Sequence, residues 1–153
     1  MKYVSTRDAQ RAYSAPETIV KGIADDGGLF VPSSFPTIDK EFLASLSEMT
    51  YPERVAKVLH LFMDEFAETE LLSFAEKAYS RFDGDPCPVV KIEDGLYVLE
   101  LWHGPTFAFK DMALTLLPYL MVESKKKLSV DETTLVLVAT SGDTGKAALE
   151  GFK

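Results

Sequence analysis

Thr134-Leu135-Val136-Leu137-Val138-Ala139 runs directly into Thr140-Ser141-Gly142-Asp143-Thr144-Gly145-Lys146. A continuous apolar run of strand length is the pattern of a parallel strand covered on both faces, because alternation disappears when neither face meets water. The glycines that follow let the backbone turn tightly, and a helix is expected to start within this stretch. Strand, glycine turn and helix in that order predict an α/β fold. A parallel strand needs neighbours and a crossover to reach them, and the sequence stops at Lys153. The chain is therefore expected to be a fragment of a longer protein.

Upstream of this segment, Phe107 to Val122 reads as a helix that is apolar nearly all round, hence buried, with a kink where Pro118 removes the bond to the Leu114 carbonyl. Before it, Val89 to Glu93 and Leu96 to Leu101 flank Asp94-Gly95, a dipeptide suited to a tight hairpin. Up to about Asp85 the pattern is helical and carries most of the acidic excess. One helix should follow Ser14, with Pro16 in its opening turn and Gly22 near its end. Asp25-Asp26-Gly27-Gly28 is a turn, and Leu29-Phe30-Val31 a short strand stopped by Pro32. Thr50 and Glu53 form a capping box, after which Val55, Val58, Leu59, Phe62 and Phe66 recur at helical spacing. A further amphipathic helix is expected from Leu71 to Phe82. The composition shift at Pro86-Cys87-Pro88 divides the chain into domains 1–85 and 86–153.

Composition excludes several classes of function. The 153 residues are 46% hydrophobic and 26% charged, with a formal net charge of -8. An acidic chain whose one basic cluster is Lys125-Lys126-Lys127 has no footprint for a phosphate backbone, so nucleic acid is not expected as a partner. No apolar run approaches the roughly 20 residues of a membrane-spanning helix. The N-terminus has neither a secretion signal nor a transit-peptide bias, which predicts a cytoplasmic location. A single cysteine, Cys87, cannot make an internal disulfide or a multi-cysteine metal site, and no metal is expected. His60, between Leu59 and Leu61, reads as a structural histidine.

Two stretches carry candidate chemistry. In Glu100-Leu101-Trp102-His103-Gly104-Pro105-Thr106-Phe107-Ala108-Phe109-Lys110-Asp111, Thr106 as a helix cap would put Lys110 in the first turn, on one stripe with Leu114, Leu117 and Met121. Desolvation and the positive helix end would both favour its neutral amine, the form that condenses with an aldehyde. The alternative is a lysine that lays its stem along aromatic residues and pairs with a carboxylate. Asp111 is not the obvious partner, since adjacent helical residues do not face each other.

In the second stretch, helix-start amides and the hydroxyls of Ser141 and Thr144 can converge on one carboxylate or phosphate, at the strand end where α/β sheets bind ligands. Asp143 complicates that nest, because its carboxylate either repels an anion or caps the amides itself. A purely structural turn remains the other reading. The Walker A pattern fails at two positions, since Thr140 stands where glycine is needed and Ala147 where Ser or Thr is needed, which leaves a nucleotide hydrolase a minor alternative.

Taken together, Trp102-His103-Gly104-Pro105-Thr106 with the nearby Lys110, and Thr140 to Gly145 some thirty residues on, closely resemble the threonine synthases. These are pyridoxal-phosphate enzymes of the tryptophan-synthase-β-like fold (fold type II). The likeness extends to Tyr3-Val4-Ser5-Thr6-Arg7 and to the stretch Gly22-Ile23-Ala24-Asp25-Asp26-Gly27-Gly28-Leu29-Phe30-Val31-Pro32, so four patches span the chain in family order. The resemblance implies a helix-rich α+β N-terminal domain over 1–85 and the truncated beginning of a cofactor domain over 86–153. It implies that Lys110 bonds covalently to pyridoxal 5'-phosphate, and that Ser141, Gly142, Asp143, Thr144 and Gly145 hold the substrate's α-carboxylate. Asp143 stands where related enzymes often have an Asn touching cofactor or substrate. Thr106 and His103 lie near enough in sequence to touch a phosphate, and Thr106 is kept as a candidate substrate contact. Trp102 and Phe109 are expected to wall the pocket, and Lys146 to be a surface residue.

The implied reaction converts O-phospho-L-homoserine and water into L-threonine and phosphate. The family's cofactor-phosphate loop and pyridine-nitrogen partner would lie beyond Lys153, so the chain alone is expected to be inactive. A noncatalytic relative and a sibling phospho-lyase are the alternatives.

Overall fold

A computed structural model describes residues 1–153. The chain mixes seven helices with two antiparallel strand pairs and divides into two compact units, residues 1–73 with 119–132 and residues 74–118 with 133–153. This division does not follow the cut at 85/86 that composition suggests, because two helices run through the changes of unit.

In the first unit, β1 (Tyr3–Ser5) pairs with β2 (Phe30–Pro32) in the register Tyr3 to Pro32 and Ser5 to Phe30. The turn before β2 is tied down by the Asp26 carboxylate, which accepts from Ser5 Oγ and the Gly28 N–H, both at 2.8 Å. Gly28 is required there, since a Cβ would lie 2.1 Å from Ser5 Oγ. Helix α1 (Ala15–Lys21) follows Ser14 as expected, with Pro16 in the first turn and Gly22 ending it at φ 70°; in addition, Ser14 and Glu17 cap each other, a pair not foreseen from the sequence.

Helix α2 (Lys40–Ser47), capped by Asp39, is not foreseen by the sequence reading. Helix α3 (Tyr51–Phe62) has the expected capping box, with the Glu53 carboxylate accepting from the Thr50 N–H and hydroxyl at 2.7 Å. It stops at Met63, so Phe66 is not on it. Phe66 lies fully buried in the connection to α4 (Glu68–Tyr79), which ends before Phe82. The helix expected over Leu71–Phe82 is therefore shifted toward the N-terminus, because the Glu70 carboxylate accepts the Ala67 N–H and fixes an earlier start. His60 Nδ1 lies 3.0 Å from the Phe66 carbonyl, a structural role. Glu70 also pairs with Lys127, whose amine lies over the Phe66 ring.

In the second unit, β3 (Val89–Glu93) and β4 (Leu96–Leu99) form the expected hairpin around Asp94-Gly95, with an irregularity between Lys91 and Glu93. Its residues are exposed on both faces. The single kinked helix expected from Phe107 to Val122 is instead two: α5 (Asp111–Leu114) and α6 (Leu117–Lys127). Phe107 adopts φ 59°, a left-handed conformation that helices exclude, which delays the start to Asp111. Pro118 cannot donate to the Leu114 carbonyl. That oxygen faces the last helix, α7 (Asp143–Gly151), so closely that a Cβ on Gly151 would lie 2.2 Å from it.

The largest correction concerns Thr134–Ala139. This run joins no strand pairing and is largely exposed, with Leu135 at 76% and Leu137 at 84%. Apolar periodicity specifies a strand only if a neighbour supplies the ladder of hydrogen bonds, and this chain offers it none. The parallel sheet of the expected fold is accordingly not formed within these residues.

Candidate functional site

The Trp102–Asp111 stretch and helix α7 meet inside the second unit. Lys146, in the first turn of α7, reaches the Thr106 carbonyl with its amine at 3.4 Å, and α5 packs on α7. Lys146 is exposed, as expected of a surface helix lysine, and also links α7 to the Trp102–Asp111 stretch.

Around Thr106 the sequence folds into a closed turn. Thr106 does not cap a helix as expected. Its N–H and its hydroxyl both donate to one carboxylate, that of Asp111, at 2.8 and 2.7 Å. Asp111 is wholly buried and Thr106 nearly so. The Thr115 hydroxyl donates to the Asp111 carbonyl at 2.7 Å. Gly104 makes room for this carboxylate, since a Cβ there would lie 2.5 Å from both Asp111 Cβ and Oδ2.

Lys110 immediately precedes α5 and occupies its N-cap position, rather than falling in a first turn. It is half-buried, and its amine lies 4.0 Å from the centre of the exposed Phe109 ring. A helix of four residues offers little of the positive helix end that the sequence argument invoked. Trp102 is half-exposed and stacks on His103, whose Nε2 lies 2.7 Å from a Glu100 carboxylate oxygen.

At the second stretch, Gly142 caps α7 at φ 139°, a conformation open to glycine. Ser141 and Asp143 are exposed, Thr144 is half-buried and Gly145 is buried. The Thr140 hydroxyl accepts from the Gly142 and Gly145 N–H groups at 3.1 and 3.0 Å. Two amides that the sequence reading offered to an anion are therefore satisfied internally. A threonine two residues before a turn glycine is the available signal for this bond.

Three comparisons bear on these residues. A family model described as the N terminus of threonine synthase matches residues 2–79. The chain belongs to this threonine synthase family. Over its full length it is 37% identical to a threonine synthase of Schizosaccharomyces pombe, covering 32% of that protein. It is 36% identical, again over the full chain, to threonine synthase-like 2 of Xenopus laevis, covering 33% of it. Its structure matches that of a PLP-bound threonine synthase from Brucella melitensis with a TM-score of 0.91 and 38% identity, over 99% of this chain and 33% of that one. The chain thus spans about a third of the length of these threonine synthase relatives. Thr106, Lys110 and the 141–145 loop lie outside the region matched by the N-terminal family model but inside the whole-chain likeness.

Proposed function

We propose that this chain is the N-terminal third of a pyridoxal-phosphate-dependent threonine synthase, a lyase that makes L-threonine and phosphate from O-phospho-L-homoserine and water, the last step of threonine biosynthesis. Residues 1–85 are the family's N-terminal domain in this reading, and 86–153 open its cofactor domain. The observation that carries it is the meeting of the Lys110 segment with the first turn of α7, through Thr106 and Lys146, in a chain of this family.

The donor set fits the cofactor. Lys110 offers a half-buried amine that lies over the Phe109 ring and is not tied up in an ion pair with a carboxylate, which leaves it accessible to an aldehyde. Lys110 would hold the cofactor covalently through Nζ. The Ser141–Gly145 loop would take the substrate's α-carboxylate, and Asp143 would touch cofactor or substrate. Bound pyridoxal phosphate supplies an electron sink for negative charge developing on the substrate carbons. Once the substrate's amine has displaced it from the cofactor, Lys110 Nζ would be free to take and return protons at those carbons, as loss of the γ-phosphate and addition of water at the β carbon require. Thr106 has both of its donors on Asp111, so a contact from its hydroxyl to the substrate would need that hydroxyl to turn away from the carboxylate.

Borohydride reduction of the full-length protein with pyridoxal phosphate, followed by peptide mapping, tests this reading. The tag is expected on Lys110 and is lost in Lys110→Ala; a tag on another residue, or none, overturns it. A second reading is favoured by the similar identity to a threonine synthase-like 2 protein: a sibling phospho-lyase, or a noncatalytic relative. Phosphate release from O-phospho-L-homoserine, against other phosphorylated amino acids, separates the three.

A further inference from the structure

We infer that the Asp111 carboxylate is a positioning group that holds Lys110 in register with the first turn of α7. This inference rests on the cofactor reading of Lys110. Asp111 is wholly buried, yet its carboxylate contacts no cation and instead takes both donors of Thr106. A buried carboxylate is costly unless its bonds do something an apolar residue could not. Here they close a loop around the four residues from Phe107 to Lys110, with Lys110 the last inside it.

Three observations show that this loop is held in place rather than relaxed. Phe107 sits at φ 59°, which a bulky residue adopts only under constraint. Gly104 approaches Asp111 too closely for any side chain. Thr106, fixed by Asp111, presents its carbonyl to Lys146 at 3.4 Å, directly after the 140–145 loop. A chain of contacts thus runs from Asp111 through Thr106 and Lys146 to the second candidate stretch. Asp111 touches neither cofactor nor substrate in this scheme and acts through the placement of its neighbour. Asn at this position keeps the volume but turns an NH2 toward one Thr106 donor, opening the clasp.

The test is the rate of borohydride-trapped pyridoxal incorporation at Lys110 in full-length protein, measured across pH beside thermal midpoints. Asp111→Asn and Thr106→Val, which breaks one of the two bonds, should each slow incorporation between about tenfold and about a hundredfold, the scale of a misplaced reacting group. Thr115→Val is the control: it removes a buried bond to the Asp111 carbonyl, lowers the midpoint, and leaves the clasp and the incorporation rate intact. Incorporation in Asp111→Asn or Thr106→Val at the rate of Thr115→Val overturns the positioning role alone. Failure of both variants to fold would make Asp111 a structural residue and overturn it too. Absence of label on Lys110 in the unmutated protein sinks the cofactor reading, and this inference with it.

Discussion

Gly104 and Gly22 show how differently one residue type can be constrained. At Gly104 the backbone is unstrained but the space is taken, with Asp111 Oδ2 2.5 Å from where a Cβ would be. At Gly22 there is open space but φ is 70°. Gly104→Ala should therefore push Asp111 off Thr106 and destabilise the fold by about 1–3 kcal/mol, the range for overpacking. Gly22→Ala should cost only about 1 kcal/mol through its backbone. Urea denaturation of the two variants checks the ranking, which reverses if the Asp111 turn yields easily. Lys110 was legible in the sequence as a candidate, but its setting was not. The rule that helical neighbours do not face each other correctly kept Asp111 away from Lys110. It gave no hint that Asp111 would turn back to Thr106, because that turn depends on a left-handed Phe107 that no propensity assigns to phenylalanine.

Helix starts were the most readable elements, since a cap is a local contract between residues three apart. Thr50 with Glu53 closes as its spacing predicts, and Ser14 with Glu17 closes at the same spacing. Ser14→Ala should cost about 1 kcal/mol by equilibrium unfolding. These carboxylates also set a pH dependence. Glu17 is held below its ordinary 4.5 by the Ser14 N–H and hydroxyl, and Glu70 below 4.5 chiefly by the Ala67 N–H, with help from Lys127. Asp26 is held below 3.8 by the Gly28 N–H and Ser5. A carboxylate whose folded pKa lies below its unfolded value adds stability that is complete above the unfolded value and disappears as pH falls through the folded one. The melting temperature should be flat near neutrality and decline below the ordinary carboxylate range, and Glu17→Gln should shallow that decline; an unchanged slope in the variant would refute the assignment. Elements that depend on distant partners were harder to read. Strand β1 exists only because β2 returns to it, and Thr134–Ala139 has the composition of a strand without the neighbour that would make it one. Phe66 kept the helical spacing of α3 but lies beyond its end, because packing, not periodicity, buries it.

At the scale of the whole molecule, apolar side chains meet water in both units; in the second they gather in the β3–β4 hairpin, with Val89, Ile92 and Tyr97, and in the run with Leu135 and Leu137. Open hairpin edges and exposed strand-forming segments of this kind template association with other chains. Residues 1–153 produced alone should therefore self-associate, and the double substitution Leu135→Lys with Leu137→Lys should shift sedimentation toward the monomer. The same exposure bears on catalysis. Ser141, Gly142 and Asp143 stand open to solvent, so a ligand bound there keeps its water and gains little from their dipoles, which act strongly only where water is excluded. Residues 1–153 alone should then bind pyridoxal phosphate weakly and release no threonine from O-phospho-L-homoserine, while the full-length protein does both. Threonine formed by residues 1–153 would mean that one lysine, its clasp and a half-open loop suffice for the chemistry, and that the remaining two thirds of the relatives' length serve some other purpose.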